Sequence, residues 1–254
     1  MGELRMHAIS VHEVRDMFGA LPELAAELRE IASTRFIVPA VENQPRGLIH
    51  KIGPMFKRDP LQIAYPADQP TPRDWESLIE GCHIEGERLV HCWRVVDAWL
   101  EARDRGTATF TLSPGEVEAF DFALTRAGLP SQLGLRNLLA NDLAIPLRPA
   151  QGMRTGYAKN AHVMATHDCL TQILPEVDPE ERGRADYLAS FLDAFADWTR
   201  AAREADAPVP DLVVVWWETA RGQQPAFDPT QPIITGRQER APRPGRHPRP
   251  GRSH

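Results

Sequence analysis

Residues 178–205, DPEERGRADYLASFLDAFADWTRAAREA, and the apolar segment 212–217, LVVVWW, decide the fold of this 254-residue chain. In the first segment, apolar residues recur at intervals of three and four, the spacing that places side chains on one face of an α-helix. They are Leu188, Phe191, Leu192, Phe195, Trp198 and Ala202. Asp178 supplies an N-cap and Pro179 suits the first helical position. We therefore predict one long amphipathic helix over residues 178–205.

The opposite side of that helix is polar, and we expect it to face water. Its residues are Asp186, Asp193, Asp197, Arg200 and Glu204. Residues 212–217 then contain three consecutive valines and two tryptophans, with almost no polar surface. Such a strand is typical of the middle of a sheet that is covered on both faces. The two segments together predict a helix packed on a buried central strand.

The rest of the chain alternates helical patterns with short extended segments. This order predicts an α+β fold, with helices packed on a small mixed sheet. Ser113, Pro114 and Glu116 form a capping-box pattern that opens one of the helices. Further helices are predicted near residues 14–18, 22–31, 74–79, 85–103, 117–127, 133–139 and 159–173, and strands over residues 6–11, 34–38, 107–112 and 144–147. In the helix at 85–103 we expect Asp97 and Glu101 to point outward.

Composition divides the chain into one globular domain, residues 1–219, and a tail, residues 220–254. Seven prolines lie between positions 39 and 72. Because proline removes a backbone donor and restricts the preceding residue, this stretch predicts a loop-rich excursion without a long helix or central strand. The tail is rich in proline and arginine and nearly free of apolar residues from position 237 onward. We predict that it is disordered.

Composition indicates a cytoplasmic protein that does not span a membrane. The sequence has no apolar run of the roughly 20 residues that a spanning helix needs, and residues 1–10 do not resemble a secretion signal. The chain has three cysteines, Cys82, Cys92 and Cys169. This small, odd number argues against a disulfide framework.

Charge is unevenly distributed along the chain. Residues 237–254 carry a charge of +5 from six arginines and one glutamate. Because the whole chain has a net charge of −6, residues 1–236 carry −11. A body this acidic is a poor non-specific binder of nucleic acid, because phosphate affinity depends on basic side chains. Only the tail, where arginine recurs every third residue, has the charge to bind RNA, anionic lipid or an acidic protein. We favour the simpler interpretation of the tail as a solubilising extension.

Two pairs of cysteine and histidine, Cys82-His83 and His91-Cys92, lie within eleven residues. Four such ligands can hold zinc in a tetrahedron. On a continuous helix, however, Cys82 and His91 would lie on opposite faces, so the four residues converge only if the chain bends sharply near Gly86. We favour the alternative, in which Cys92 lines the core and the histidines lie at its margin.

A second cluster contains His162, His167, Asp168 and Cys169. His162 and Cys169 share a helix face but lie about 10 Å apart, too far for a direct nucleophile–base pair. His167 is close to Cys169 in sequence but points elsewhere on a helix. A hydrolase or transferase could use histidine and carboxylate side chains instead. Its candidate catalytic residues in this sequence are weak ones: His83, His91, His167 and Cys169. The sequence also contains none of the common phosphate-binding, hydrolase or zinc-protease motifs, and we expect no bound cofactor.

Several segments together resemble those of a known family. They are residues 9–19 (ISVHEVRDMFG), 137–139 (NLL), 144–149 (AIPLRP) and 156–157 (GY), followed by the acid-capped helix and the closing aromatic strand. Their order resembles an uncharacterised actinobacterial domain-of-unknown-function family that is itself similar to the YfbM-like proteins. The resemblance covers residues 5–30 and 85–217. It implies a small cytoplasmic protein with a mixed α and β fold, and it transfers no catalytic residue.

The function that we predict from these observations is a non-enzymatic protein-interaction module, of the kind found among immunity proteins, whose acidic body binds a basic partner. The alternatives are a hydrolase or transferase with a histidine and carboxylate site, and a protein that binds nucleic acid through its arginine-rich tail.

Overall fold

The computed structural model describes residues 1–36 and 69–218, together with the backbone of residues 234–235. The predicted excursion over residues 39–72 lies outside these ranges except for its last four residues. The predicted disordered tail, residues 220–254, also lies outside them except for the backbone of residues 234–235. No helix in the described part of the chain has the length and apolar character needed to cross a membrane.

Five strands and eight helices make up the described structure. The strands are β1 (Gly2–Ile9), β2 (Gly106–Thr111), β3 (Met153–Ala158), β4 (Asp211–Glu218) and β5 (Ile234–Thr235). The helices are α1 (Val11–Arg15), α2 (Pro22–Arg35), α3 (Pro72–Ile79), α4 (Leu89–Arg103), α5 (Pro114–Arg126), α6 (Leu135–Leu138), α7 (Asn160–Ile173) and α8 (Pro179–Glu204). Short 3-10 turns at Gly86–Arg88, Ser131–Leu133 and Leu174–Glu176 connect them.

The strands form one sheet in the order β3-β4-β1-β2-β5. Every pair of neighbours is antiparallel. The α+β class is thus confirmed, but the described sheet is antiparallel and not mixed. The reason lies in α8, which returns the chain to the end of the sheet where β1 finishes. β4 therefore starts with Asp211 opposite Ile9 and runs back along β1 until Glu218 lies opposite Gly2.

A hydrophobic core lies on each face of this sheet. On one face, which we call the α8 core, Val214 and Trp216 of β4 pack with Phe191 and Phe195 of α8. On the other face, the α4 core, Val213 and Val215 of β4 pack with the α4 tryptophans, Trp93 and Trp99. The prediction of a central strand covered on both faces is confirmed, and so is the inward face of the long helix.

The start of β4 also holds two helices in place. The buried Asp211 carboxylate accepts hydrogen bonds from the backbone N–H of Val11 and Asn160, each at 3.0 Å, and from Lys159 Nζ at 3.1 Å. Val11 and Asn160 are the first residues of α1 and α7, where backbone donors have no partner within the helix. One side chain therefore caps two helices and fixes both to the central strand.

Some predicted elements differ from the structure. The first strand begins four residues earlier than predicted and ends before Ser10, because Ser10 and Glu13 form a capping box that starts α1. The predicted strand at residues 34–38 is wrong at its start, since α2 continues through Arg35; residues 37–38 lie outside the described residues. The predicted N-cap Asp178 makes no capping hydrogen bond, and its carboxylate instead pairs with Arg126.

The short strand predicted before α7 was also assigned to the wrong segment. Residues 144–147, predicted as a short strand, form an irregular loop in which Ala144 has a φ of 52°. The Asp142 side chain accepts a hydrogen bond from the Ala144 backbone at 2.9 Å, which turns the chain there. The strand that follows instead is β3, which begins nine residues after Ala144 and pairs with β4 on the side away from β1.

Gly156 in β3 provides a test of the packing between α6 and the sheet. A Cβ atom at this position would lie 1.9 Å from the Leu138 carbonyl oxygen. We expect Gly156→Ala to lower the free energy of unfolding by about 2 kcal/mol or more, because the backbone of α6 must shift. Urea unfolding followed by circular dichroism measures the change.

Gly183 in α8 is the matched control, since a Cβ there meets no atom within 4 Å. Gly183→Ala should raise the free energy of unfolding by up to about 1 kcal/mol, because alanine favours a helix interior over glycine. Equal stability of the Gly156→Ala variant and the unmodified protein would contradict the close contact of α6 with β3.

Candidate functional site

The structure does not bring the first cysteine and histidine cluster together as a metal site. Cys82 and His83 are exposed in the turn after α3, His91 is half-buried, and Cys92 is buried in the α4 core. The chain does bend at Gly86–Arg88, but Cys92 packs inward after that bend. Within residues 1–36 and 69–218, no three histidine, cysteine, aspartate or glutamate side chains are arranged to hold a metal ion.

The surroundings of Cys92 make it a poor nucleophile. Burial raises the pKa of its thiol to about 12, and the nearby Asp74 carboxylate acts in the same direction, against a smaller opposing effect of Arg88. The thiol is therefore protonated at neutral pH, whereas the thiolate is the reactive form. Cys92 acts as a small hydrophobic residue of the core, as the sequence analysis favoured.

The second cluster lies on α7, where His162, His167 and Cys169 are half-buried and Asp168 is exposed. His167 lies between two carboxylates, with Nδ1 3.6 Å from Asp168 Oδ1 and Nε2 3.6 Å from Asp193 Oδ1. The side chains of Asp168 and Asp193 are 71% and 77% exposed. Cys169 packs in part against the α8 core. This arrangement places a histidine beside surface carboxylates, without a cysteine–histidine hydrogen bond among the described contacts.

A line of exposed carboxylates follows the outer side of α8, and we call it the acidic ridge. It consists of Asp186, Asp193, Asp197 and Glu204, all exposed. Their separations of seven, four and seven residues match whole turns of a helix, so the side chains lie in one row about 27 Å long. Asp197 pairs with Arg200 at 2.6 Å, with both side chains largely exposed. The predicted polar face of this helix is confirmed.

A second set of charges lies under α4, and we call it the buried polar cluster. It consists of Glu3, Arg5, His7, Asp97, Glu101 and Asp104. Arg5 Nη1 contacts Asp97 Oδ2 at 2.5 Å and Glu101 Oε1 at 2.6 Å, and its Nε contacts Glu3. His7 Nδ1 lies 2.8 Å from Asp104 Oδ2, and His7 Nε2 lies 3.9 Å from Asp97 Oδ1. The cluster joins β1 to the C-terminal half of α4.

Asp97 corrects one expectation of the sequence analysis, which placed it on the outer side of its helix. Its side chain is only 18% exposed and lies over β1, where Arg5 and His7 face it. Burial raises the pKa of the Asp97 carboxyl, although Arg5 and His7 oppose that effect in part. His7 itself is fully buried, so its side chain is not placed to contact a substrate.

The α8 core contains a cavity too small to be a ligand site. Its lining includes Leu124, Leu133, Leu170 and Leu192, with Thr166 as the polar contribution. The volume of ≈ 10 Å³ corresponds to about one water molecule. The cavity is a packing gap between α5, α7 and α8.

Comparison with family models, curated proteins and solved structures gives no match for this chain. The resemblance to the actinobacterial family and the YfbM-like proteins therefore stays a prediction.

Thiol reactivity provides a test of this assignment of the cysteines. With iodoacetamide at pH 8, we expect exposed Cys82 to be modified and Cys92 to stay unmodified until the protein is unfolded in urea, because burial keeps the Cys92 thiol protonated and enclosed. Mass spectrometry of tryptic peptides measures both sites. The Cys82→Ser variant controls for indirect effects, and fast modification of Cys92 in the folded protein would contradict its place in the core.

Proposed function

We propose that this chain is a non-catalytic protein-interaction module whose acidic ridge binds a basic partner protein. The observation that carries the proposal is the row of four exposed carboxylates on α8. Two of the four, Asp186 and Glu204, have no ion pair among those found in the described structure. Asp193 has a 3.6 Å contact with His167, and Asp197 pairs with Arg200. The ridge belongs to a body, residues 1–236, with a net charge of −11.

Electrostatics makes such a ridge suited to association. Exposed charges interact over about 8 Å at physiological ionic strength, and adjacent ridge carboxylates are about 6 to 10 Å apart along the axis. Their fields therefore overlap and attract lysine and arginine side chains at similar spacing. Contacts of this kind raise the association rate and favour partners of opposite charge, and they weaken as salt is added.

Placement of the histidines favours this proposal over an enzyme. His7, the histidine most closely paired with carboxylates, is enclosed between β1 and α4. His167 has carboxylate neighbours at 3.6 Å, but they are surface groups of α7 and α8. The immunity-type role and the cytoplasmic location are part of the proposal, and they are supported by the family resemblance and the cysteine content alone.

A variant of the ridge tests the proposal. Asp186→Asn, Asp193→Asn, Asp197→Asn and Glu204→Gln together remove its four charges without changing the size of the side chains. We expect affinity capture from a lysate of the source organism to recover a basic protein with the unmodified chain. With the purified partner, we expect the ridge variant to bind at least about tenfold more weakly, because about 1.4 kcal/mol of attraction is lost. Calorimetry at 50 and 200 mM salt measures the affinity.

The matched control removes four exposed carboxylates away from the ridge. Glu30→Gln, Glu85→Gln, Glu87→Gln and Glu118→Gln change the net charge by the same amount, at residues exposed on other elements. This control variant should bind like the unmodified chain. Equal weakening by both variants would show that net charge matters and not the ridge, and equal binding by all three proteins would exclude the ridge as the binding surface.

A further inference from the structure

The buried polar cluster contains two atoms without a hydrogen-bond partner in the described structure, and they face each other. His7 Nε2 and Asp97 Oδ1 are both enclosed, and 3.9 Å separates them. The His7 side chain is 0% exposed. An unpaired polar atom in the interior is unfavourable because it loses its hydrogen bonds to water without replacement, so two that face each other require an explanation.

We propose that His7 and Asp97 bind one shared proton, and that this proton fastens the C-terminal end of α4 to β1. With the proton on His7, an imidazolium N–H donates to the Asp97 carboxylate. With the proton on Asp97, a carboxylic acid O–H donates to neutral His7. Both forms close the gap with a hydrogen bond. Without the proton, two lone pairs oppose each other.

The groups that surround the pair favour retention of the proton. From β1, Glu3 and Arg5 face it, and Glu101 faces it from α4. Asp104, the C-cap of α4, accepts a hydrogen bond from His7 Nδ1 and another from the Thr107 hydroxyl of β2. Arg5 contacts Glu101, and Arg35 of α2 contacts the same carboxylate. On the β4 side the cross-strand neighbour is Val213, which carries no charge. Glu3 and Glu101 add negative charge beside Asp97 and raise the pKa of its carboxyl, so they favour the protonated pair.

The sign of the pH effect follows from Asp97. Burial raises the pKa of its carboxyl above the unfolded value, so the folded state binds the proton more tightly than the unfolded state does. A group of this kind stabilises the fold at pH values below its folded pKa, and the stabilisation is lost as the pH rises through that pKa.

Loss of the proton has a defined structural consequence. His7 pairs across the sheet with Thr107, at the beginning of β2, and Thr107 in turn pairs with residue 234 of β5. Asp104 connects the end of α4 to this point. Repulsion between Asp97 and His7 therefore loosens the end of α4 and the start of β2 first, and leaves the centre of the sheet, where β1 pairs with β4, in place.

Stability measurements of two variants test the proposal. Asp97→Asn keeps the size of the side chain and removes its ability to share a proton with His7. The matched control is Glu101→Gln, which also removes a carboxylate bound to Arg5, one turn along α4, at a residue that is not among the ion-pair contacts described for His7. The quantity to compare is the ratio of two folding equilibrium constants, that of the unmodified protein over that of Asp97→Asn. We expect this ratio to increase as the pH falls from 9 to 5. The increase is at most about tenfold per pH unit, which is the limit for one proton. The ratio formed with Glu101→Gln should increase much less over the same pH range, because Glu101 acts on Asp97 through its charge and does not bind the shared proton.

A measurement on the unmodified protein keeps the proposal testable if Asp97→Asn fails to fold. Ring ¹⁵N shifts of His7 and the side-chain ¹³C shift of Asp97 report protonation of each group by NMR. A shared proton requires both signals to change over the same pH range, together with faster amide exchange at Thr107 on the alkaline side. Independent titration of the two signals, or a pH dependence that is the same in Asp97→Asn and the unmodified protein, would overturn the proposal.

Discussion

The pairing of β1 with β4 is the contact on which the rest of this structure depends. The two strands pair over eight residues at the centre of the sheet. β4 is apolar on both faces, so it requires a layer of helices on each side, and those layers form the two cores. Asp211 at its first residue caps α1 on one side and α7 on the other, which fixes where each layer begins. The position of the helices is therefore set from the central strand outward.

The same pairing explains why charged residues are buried under α4. β1 alternates, with Leu4, Met6 and Ala8 facing the α8 core, so Glu3, Arg5 and His7 must face α4. Charges enclosed between a strand and a helix are tolerated only when other charges and hydrogen bonds compensate for the lost water. Asp97, Glu101 and Asp104 provide that compensation, at the cost of an excess of negative charge in the interior.

How far the sequence predicts this structure depends on the distance along the chain between interacting residues. The long helix, the buried valines and the capping box at Ser113 were predicted correctly, because each depends on neighbours in sequence. The edge strand β3 was missed, since Arg154 and Gly156 interrupt its apolar pattern and its pairing with β4 joins residues about sixty positions apart. Gly156 is required there by the close approach of the α6 backbone, which no local pattern reveals.

The candidate sites follow the same rule. The carboxylates of the acidic ridge were assigned to the outer face of α8 from helical spacing alone, and the structure places them there. His7 and Asp97 were not recognised as a pair, because ninety residues separate them and each, taken alone, has an ordinary place in its own element. One signal was present in the sequence, although the predicted strand began only at Met6: polar residues at positions 3, 5 and 7 alternate with apolar ones and indicate a face that needs charged partners.

The energetics of α8 separates its buried face from its exposed one. Burial of Phe191 and Phe195 contributes about 2 kcal/mol each, whereas like charges one turn apart, such as Asp193 and Asp197, cost only a few tenths of a kcal/mol. The helix is stable with or without the ridge, so folding does not determine which residues stand there. In the buried polar cluster the situation is reversed, since every charge is held by another and a change at one position alters the fold. Residues on a surface that folding does not constrain can be selected for binding to a partner. Of the two charged sets described here, only the ridge lies on such a surface.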